Sequence, residues 1–132
     1  MNNKRQIKFL TEKEVRQIID HIEDETLRGR RDKALLEILF STGLRISEAL
    51  ALKRNDLLVG SPHETLELSI MGKGDRVRTV YVSPAAKKAF NRYSIARWPD
   101  DDSELAFTCG VRAVQLMVKR RAKVAGIEKF IS

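Results

Sequence analysis

The first regular pattern in the chain is a run of apolar residues at the three- and four-residue steps of one helical face. Its members are Val15, Ile18, Ile19 and Ile22. Thr11 and Glu14 stand in the order of a capping box, so this helix is predicted to begin at Thr11. A second, more apolar helix is predicted over about residues 30–42, and Gly43 follows it where a left-handed C-terminal residue is favourable. Residues 46–52 then predict a short helix, so that the two helices and the glycine turn resemble a helix-turn-helix.

The period changes to two residues within segment 66–82, where apolar and polar side chains alternate in two short runs. The sequence MGKGDR between the runs carries two glycines and predicts a turn with Lys73 at or near its tip. Pro84 favours a further helix that ends near Arg97, and a last helix is predicted over about residues 111–125. The predicted fold class is therefore mainly α, with a small antiparallel β-hairpin or three-stranded sheet.

The charge is distributed unevenly. Residues 1–71 hold 12 basic and 12 acidic side chains, whereas residues 72–132 hold 13 basic and 6 acidic ones, so the net charge of +7 lies in the second half. This excess fits either a solubilising surface or a polyanionic partner, with nucleic acid favoured over a membrane. One cysteine and two histidines exclude a disulfide framework and a zinc cluster. No apolar run approaches the roughly 18 residues of a membrane span, and no signal peptide is visible, so the expected compartment is the cytoplasm.

Two motifs carry a resemblance to a known family. RDKALLEILFSTGLRISEALALKRNDL, then a strand, then GKGDRVRTVYVSP and a basic helix that closes in KVAGI, resembles the catalytic domain of the tyrosine recombinases, the phage integrase and Xer family. The resemblance runs from about Thr11 to Ile127 and implies the fold of the DNA breaking-rejoining enzymes. It makes residues 1–10 a linker or arm stub and residues 11–132 a partial catalytic domain. It also implies double-stranded DNA as the partner, and neither a metal nor a cofactor.

The same resemblance assigns roles to single residues. Arg45 is similar to the arginine that grips the scissile phosphate, Glu48 to an acidic residue that orients the site, and Lys73 to the general acid. Six further side chains are expected to contact DNA: Arg76, Arg78, Arg112, Gln115, Lys119 and Lys123. The residues alone leave plainer alternatives open. Arg45 can be a helix-start arginine bound to the carboxylate of Glu48, three positions away, and Lys73 can be a solvated turn residue.

The family pattern continues with a His-x-x-Arg box and a tyrosine nucleophile, and the sequence reaches Ser132 where that box is expected to begin. Tyr81 and Tyr93 do not match the nucleophile and are interpreted as packing residues. The chain by itself is therefore expected to bind DNA without cleaving it, and to self-associate through an exposed core face.

Three other functions remain open at this stage. The first is a truncated, non-catalytic DNA-binding or regulatory module. The second is a transcription regulator built on the short helix over residues 46–52, although its segment SEALALK offers few base-reading side chains. The third is an interaction domain with a basic surface, which leaves the two motifs unexplained.

Overall fold

The computed structural model describes residues 10–98 and 103–128. Its elements, in chain order, are α1 (Glu12–Asp20), α2 (Leu27–Thr42), α3 (Ile46–Leu50), α4 (Arg54–Leu57), β1 (Leu66–Met71), β2 (Val77–Val82), α5 (Pro84–Arg97) and α6 (Val111–Val124). A 3-10 turn, Lys73–Asp75, joins the two strands. Within the described residues the sheet is an antiparallel pair of strands, so the predicted mainly helical fold with a hairpin is confirmed. Most of the expected arm, residues 1–9, lies outside the described residues, and Leu10 is buried.

Local side-chain chemistry sets the helix ends. Thr11 Oγ1 accepts the backbone N–H of Glu14 at 3.1 Å, and the Glu14 carboxylate accepts that of Thr11 at 2.9 Å, which confirms the capping box. Helix α2 begins three residues earlier than the prediction, because Thr26 Oγ1 accepts the N–H of Gly29 at 3.0 Å. Gly43 ends α2 with φ 67°, the left-handed conformation that was expected there.

The core lies between α2 and α5, which pack against each other more extensively than any other pair of described helices. Three aromatic rings extend it towards α6. The rings of Tyr93 and Phe107 stack at a centroid distance of 5.6 Å, and Phe90 meets Phe107 edge to face at the same distance. Phe107 lies in the loop before α6, so a buried aromatic side chain from this loop completes the core on the side of α6.

A buried ion pair fixes α6 on α2. Asp32 is 2% exposed, and its Oδ2 accepts hydrogen bonds from Nε and Nη2 of Arg121 at 3.0 and 2.8 Å. The neighbouring Arg31 binds the other carboxylate oxygen at 3.1 Å. A carboxylate that has left water needs such charged donors, so the pair determines which face of α6 turns inward.

A buried cation, Arg97, organises the loop that leads to α6. The residue is 2% exposed, and its guanidinium donates to the carbonyl oxygens of Leu105 and Ala106 at 2.6 and 2.7 Å. This loop also pairs with the segment between α3 and α4, because the N–H of Ala106 donates to the carbonyl of Leu52 at 2.9 Å. The entry to α6 is therefore held from two sides.

The two tyrosines differ in their environments. Tyr93 is 4% exposed and packs in the core as expected, but Tyr81 is 55% exposed, so its interpretation as a packing residue is wrong. The alternation of β2 explains this, since Val80 and Val82 occupy the inner face and leave Tyr81 on the outer one. None of the described helices is long and apolar enough to cross a membrane.

Replacement of Arg121 should destabilise the fold, whereas replacement of a neighbouring cation should not. Arg121→Gln leaves Asp32 buried with Arg31 as its remaining cation, so we expect a loss of about 1–3 kcal/mol in the free energy of unfolding. Lys123→Gln removes the same charge from an exposed position of α6 and should change it by less than about 0.5 kcal/mol. Urea unfolding followed by circular dichroism measures both, and equal effects would contradict the structural role of the pair.

Candidate functional site

Arg45 occupies the residue before the first turn of α3, two positions after the left-handed Gly43. Its backbone is extended, with φ −66° and ψ 151°. The turn that leads to it is held by Thr42, whose hydroxyl donates to the carbonyl of Ile38 at 2.7 Å and accepts the N–H of Leu44 at 3.1 Å. The side chain of Arg45 is half-buried, and among the described residues none makes a hydrogen bond or ion pair with its guanidinium. A fixed backbone thus carries a cation that makes no hydrogen bond or salt bridge within the described residues, although its charge lies near enough to help lower the pKa of Glu48.

Glu48 sits one turn further along α3 and binds two donors through the same carboxylate oxygen. Its Oε1 accepts the backbone N–H of Arg45 at 2.9 Å and a guanidinium N–H of Arg78 at 2.7 Å. Burial alone raises the pKa of Glu48, but these two hydrogen bonds and the nearby positive charges outweigh it and hold the pKa below its usual range. The alternative in which Glu48 binds the Arg45 guanidinium differs from the structure, where the carboxylate accepts from the Arg78 side chain and from the Arg45 backbone.

The hairpin brings Arg78 to this carboxylate. In the strand register Arg78 faces Ile70, and it shares the inner face of β2 with Val80 and Val82. Arg78 was expected to contact DNA, whereas the structure pairs it with Glu48. The turn beyond it places the backbone of Lys73 at the tip, as expected, and it closes through a hydrogen bond from the Gly72 N–H to the Arg76 carbonyl at 2.6 Å.

The remaining residues expected to contact DNA lie on exposed surfaces. Arg76 is exposed beside the hairpin turn. Arg112, Lys119 and Lys123 are exposed on α6, and their spacing places them along one side of that helix, whereas Gln115 is half-buried. Because α3 packs against α6, the helix that follows Arg45 adjoins the helix that carries these cations.

Comparison with known proteins assigns the chain to a family. The sequence profile of the phage integrase family matches residues 8–132. The chain belongs to the phage integrase family. This family comprises the tyrosine recombinases, and the resemblance expected from the two sequence motifs is confirmed.

Several relatives of this integrase-family chain carry the name tyrosine recombinase XerC. The protein of Pseudomonas aeruginosa is 31% identical over 122 residues, which are 86% of this chain and 37% of the relative. That of Rhodospirillum centenum is 43% identical over 68 residues, 52% of this chain and 19% of the relative. The chain thus spans well under half the length of these curated relatives.

Solved structures show the same fold. The XerH site-specific recombinase bound to palindromic difH substrate, in a post-cleavage complex, matches with a TM-score of 0.72 and 26% identity over 91% of this chain and 36% of that one. The XerA recombinase shares the fold with a TM-score of 0.72 at 23% identity, over 92% of this chain and 44% of that one.

The sequence patterns did not predict one contact of this candidate site, the ion pair of Arg78 with Glu48. The alternation that predicts β2 already places Arg78 on the face of Val80 and Val82, which points towards the protein rather than towards solvent. That position was the available signal for an internal role. The choice of Glu48 as the partner needs the three-dimensional approach of the hairpin to α3, because the two residues lie 30 positions apart.

The contribution of Glu48 to stability should depend on pH. Because its folded-state pKa is lowered, the ionised carboxylate stabilises the fold above its ordinary pKa, and this stabilisation is lost as the pH falls through the folded-state value. Glu48→Gln should therefore lower the free energy of unfolding by about 1–2 kcal/mol at pH 7, and the difference from the parent chain should shrink on acidification. Urea unfolding at several pH values between 7 and 3 measures it; a difference that grows on acidification would contradict the assignment.

Proposed function

We propose that this chain is the part of a tyrosine recombinase catalytic domain that binds DNA and grips the scissile phosphate with Arg45. The observation that carries the proposal is the state of Arg45, whose backbone is fixed by Glu48 and by the Gly43 turn while its guanidinium makes no hydrogen bond or salt bridge with the described residues. A half-buried guanidinium without a hydrogen-bonded carboxylate is poised for an anion from outside the chain.

The chemistry of arginine suits this task. The guanidinium stays charged, and its planar fork matches two non-bridging oxygens of a phosphodiester. Those oxygens gain negative charge in the transition state of cleavage, so a cation that is already in place lowers the barrier. The pairing of Glu48 with Arg78 supports this role, because it leaves the Arg45 side chain available.

We assign the general acid to Lys73, which would protonate the departing 5′ oxygen. The support is the position of its backbone at the tip of a hairpin whose second strand reaches Glu48 through Arg78. The turn needs two left-handed residues, Gly74 and Asp75, with φ 73° and 58°. The chemistry proposed for Arg45 and Lys73 uses neither a metal nor a cofactor.

The basic side of α6 supplies further contacts with the DNA backbone. Arg112, Lys119 and Lys123 lie along one exposed side of the helix, where they can follow a line of phosphates. Such contacts release counterions and make binding dependent on salt but weakly dependent on sequence.

The complete reaction, breakage and rejoining through a 3′-phosphotyrosyl intermediate, also needs a nucleophile. Of the two tyrosines, Tyr93 is buried in the core and Tyr81 lies on the face of β2 opposite to Arg78. We infer that residues 11–132 are a partial catalytic domain that binds DNA without cleaving it by itself. The same observation favours a second candidate function, a non-catalytic DNA-binding or regulatory module. Exposed Leu116 and Val124 on α6 offer an apolar surface for self-association.

Arg45 should contribute to DNA binding more than a comparable arginine elsewhere. Arg45→Ala should weaken binding to a short duplex about tenfold, as the loss of a charged hydrogen bond implies, and should reduce the slope of log affinity against log salt by about one unit. Fluorescence anisotropy at several salt concentrations measures both. Arg28→Ala removes the same charge from an exposed site on α2 and serves as the matched control, with a loss below about twofold expected for a residue without a phosphate contact.

The stability of the Arg45→Ala chain separates this interpretation from a structural one. Glu48 keeps Arg78 and the backbone N–H of residue 45 in that variant, so the free energy of unfolding should change by less than about 0.5 kcal/mol. Unchanged DNA affinity, or a loss of affinity that parallels a loss of folding, would overturn the assignment.

The purified chain should not become covalently attached to DNA. A suicide duplex traps the phosphotyrosyl intermediate of any active nucleophile, but Tyr93 is inaccessible and Tyr81 faces away from the Glu48–Arg78 pair. Denaturing gel electrophoresis should show only the unmodified chain. An adduct that disappears in Tyr81→Phe would show that this tyrosine reaches the phosphate and would contradict the inference.

A further inference from the structure

One carboxylate oxygen, Oε1 of Glu48, joins the backbone of Arg45 to the side chain of Arg78. From this arrangement we propose that Arg78 is a positioning residue. By neutralising Glu48 it prevents that carboxylate from capturing the Arg45 guanidinium, and so keeps Arg45 available for phosphate. The inference rests on the proposed function of Arg45. It goes beyond that function because it gives Arg78, which contacts protein, the task of keeping Arg45 in the state that can bind phosphate.

The side chains of Arg45 and Arg78 compete for the Glu48 carboxylate. Side chains three positions apart on a helix lie close enough to form an ion pair, and Arg45 and Glu48 have this spacing. The structure nevertheless pairs Glu48 with Arg78 at 2.7 Å, although Arg78 comes from a strand 30 positions away. The distant arginine, and not the side chain of the local one, therefore donates the hydrogen bond to the carboxylate, while the charge of Arg45 acts on it from nearby. When Arg78 is removed, the local pair becomes the favourable arrangement for a partly buried carboxylate.

The hairpin that carries Arg78 is attached to α2 at its base. Ser41 fixes the base of the hairpin, since its hydroxyl donates to the carbonyl of Tyr81 at 3.0 Å and accepts the N–H of Ser83 at 2.8 Å. Arg78 lies three residues further towards the tip, about 10 Å along an extended strand. Its ion pair with Glu48 is thus a second attachment of β2 to the helices. It sets the distance between α3 and the hairpin that carries Lys73.

The place of Arg78 on β2 favours the positioning role over a direct contact with DNA. Arg78 shares the inner face of β2 with Val80 and Val82, and its side chain is 39% exposed. Arg76, two residues earlier in the chain, is exposed beside the turn, and among the described residues it has no side-chain partner. A phosphate contact therefore suits Arg76, and removal of Arg78 should act on DNA only through Glu48 and Arg45.

The decisive experiment is a rescue measured by fluorescence anisotropy on a short duplex at fixed salt. Arg78→Gln should weaken binding about five- to tenfold, close to the effect of Arg45→Ala, because Glu48 then holds Arg45. Glu48→Gln in the Arg78→Gln chain removes the competing carboxylate and keeps an oxygen for the Arg45 N–H. The double variant should therefore recover most of the lost affinity. Arg78→Lys retains a cation beside Glu48 and should lose less than about twofold.

The matched control is Glu67→Gln, which removes an exposed carboxylate from the outer face of β1. In the Arg78→Gln chain, Glu67→Gln should raise the DNA affinity by no more than it does in the parent chain. Glu48→Gln should raise the affinity of the Arg78→Gln chain several times more. Equal recovery from Glu48→Gln and Glu67→Gln would mean that only net charge matters and would overturn the inference. A loss from Arg78→Gln that Glu48→Gln leaves unchanged would also overturn it, since that result assigns Arg78 to the DNA.

A measurement without DNA tests the same switch. In the NMR spectrum, the Nε–H resonance of Arg45 should shift with the titration of Glu48 several times more in the Arg78→Gln chain than in the parent chain, where the charge of Arg45 lies near Glu48 without a hydrogen bond from its guanidinium. Equal shifts in the two chains would overturn the inference and leave the proposed function intact. If instead Arg45→Ala has no effect on DNA affinity, the proposed function fails, whereas a shift in the Arg78→Gln spectrum would still report the capture of Arg45 by Glu48.

Discussion

Helix α2 is buried on several sides, and the positions of its neighbours follow from that burial. This helix contacts α1, α3, α5 and β2, and an unbroken run over residues 34–39 is buried. Burial on so many sides encloses two carboxylates, Asp32 and Glu37, and a carboxylate that leaves water must be paired. Glu37 binds Arg16 of α1 at 2.6 Å, and Asp32 binds Arg121 of α6 at 2.8 Å. The central helix therefore positions its neighbours through its acids as well as through its apolar surface.

Much of this fold could be predicted from local patterns, because local interactions produce it. The capping residues around Thr11, the left-handed Gly43 and the alternation in the hairpin act over a few positions, and the structure contains each of them. The positions of Arg97 and Arg121 could not be read in this way. Each is a basic residue on a helix and resembles a solvated one. Arg97 donates to loop carbonyls eight and nine positions away, and Arg121 to Asp32, 89 positions away, so neither partner follows from helical spacing.

The candidate site shows the same contrast between features that local patterns predict and features that depend on tertiary contacts. The motif around Arg45 indicated the right segment, and the three-residue spacing correctly placed Glu48 beside it. Spacing alone, however, cannot decide which of two arginines obtains the carboxylate. The outcome depends on the approach of the hairpin, where Arg78 lies on the inner face. Sequence patterns thus located the residues of the proposed site, while the pairing of Glu48 with Arg78 followed from tertiary structure.

The distribution of cations has a consequence for how the charge of the second half acts. Several of its basic residues are engaged inside the fold: Arg78 with Glu48, Lys87 with two loop carbonyls, Arg97 with the loop before α6, and Arg121 with Asp32. Among the described residues of this half, the exposed cations lie beside the hairpin turn, on α5 and along α6, and those on α5 are Lys88 and Arg92. Net charge therefore overstates the number of cations that are available to an external anion. The paired cations act structurally, because Arg78 ties the hairpin to α3 and Arg121 ties α6 to α2.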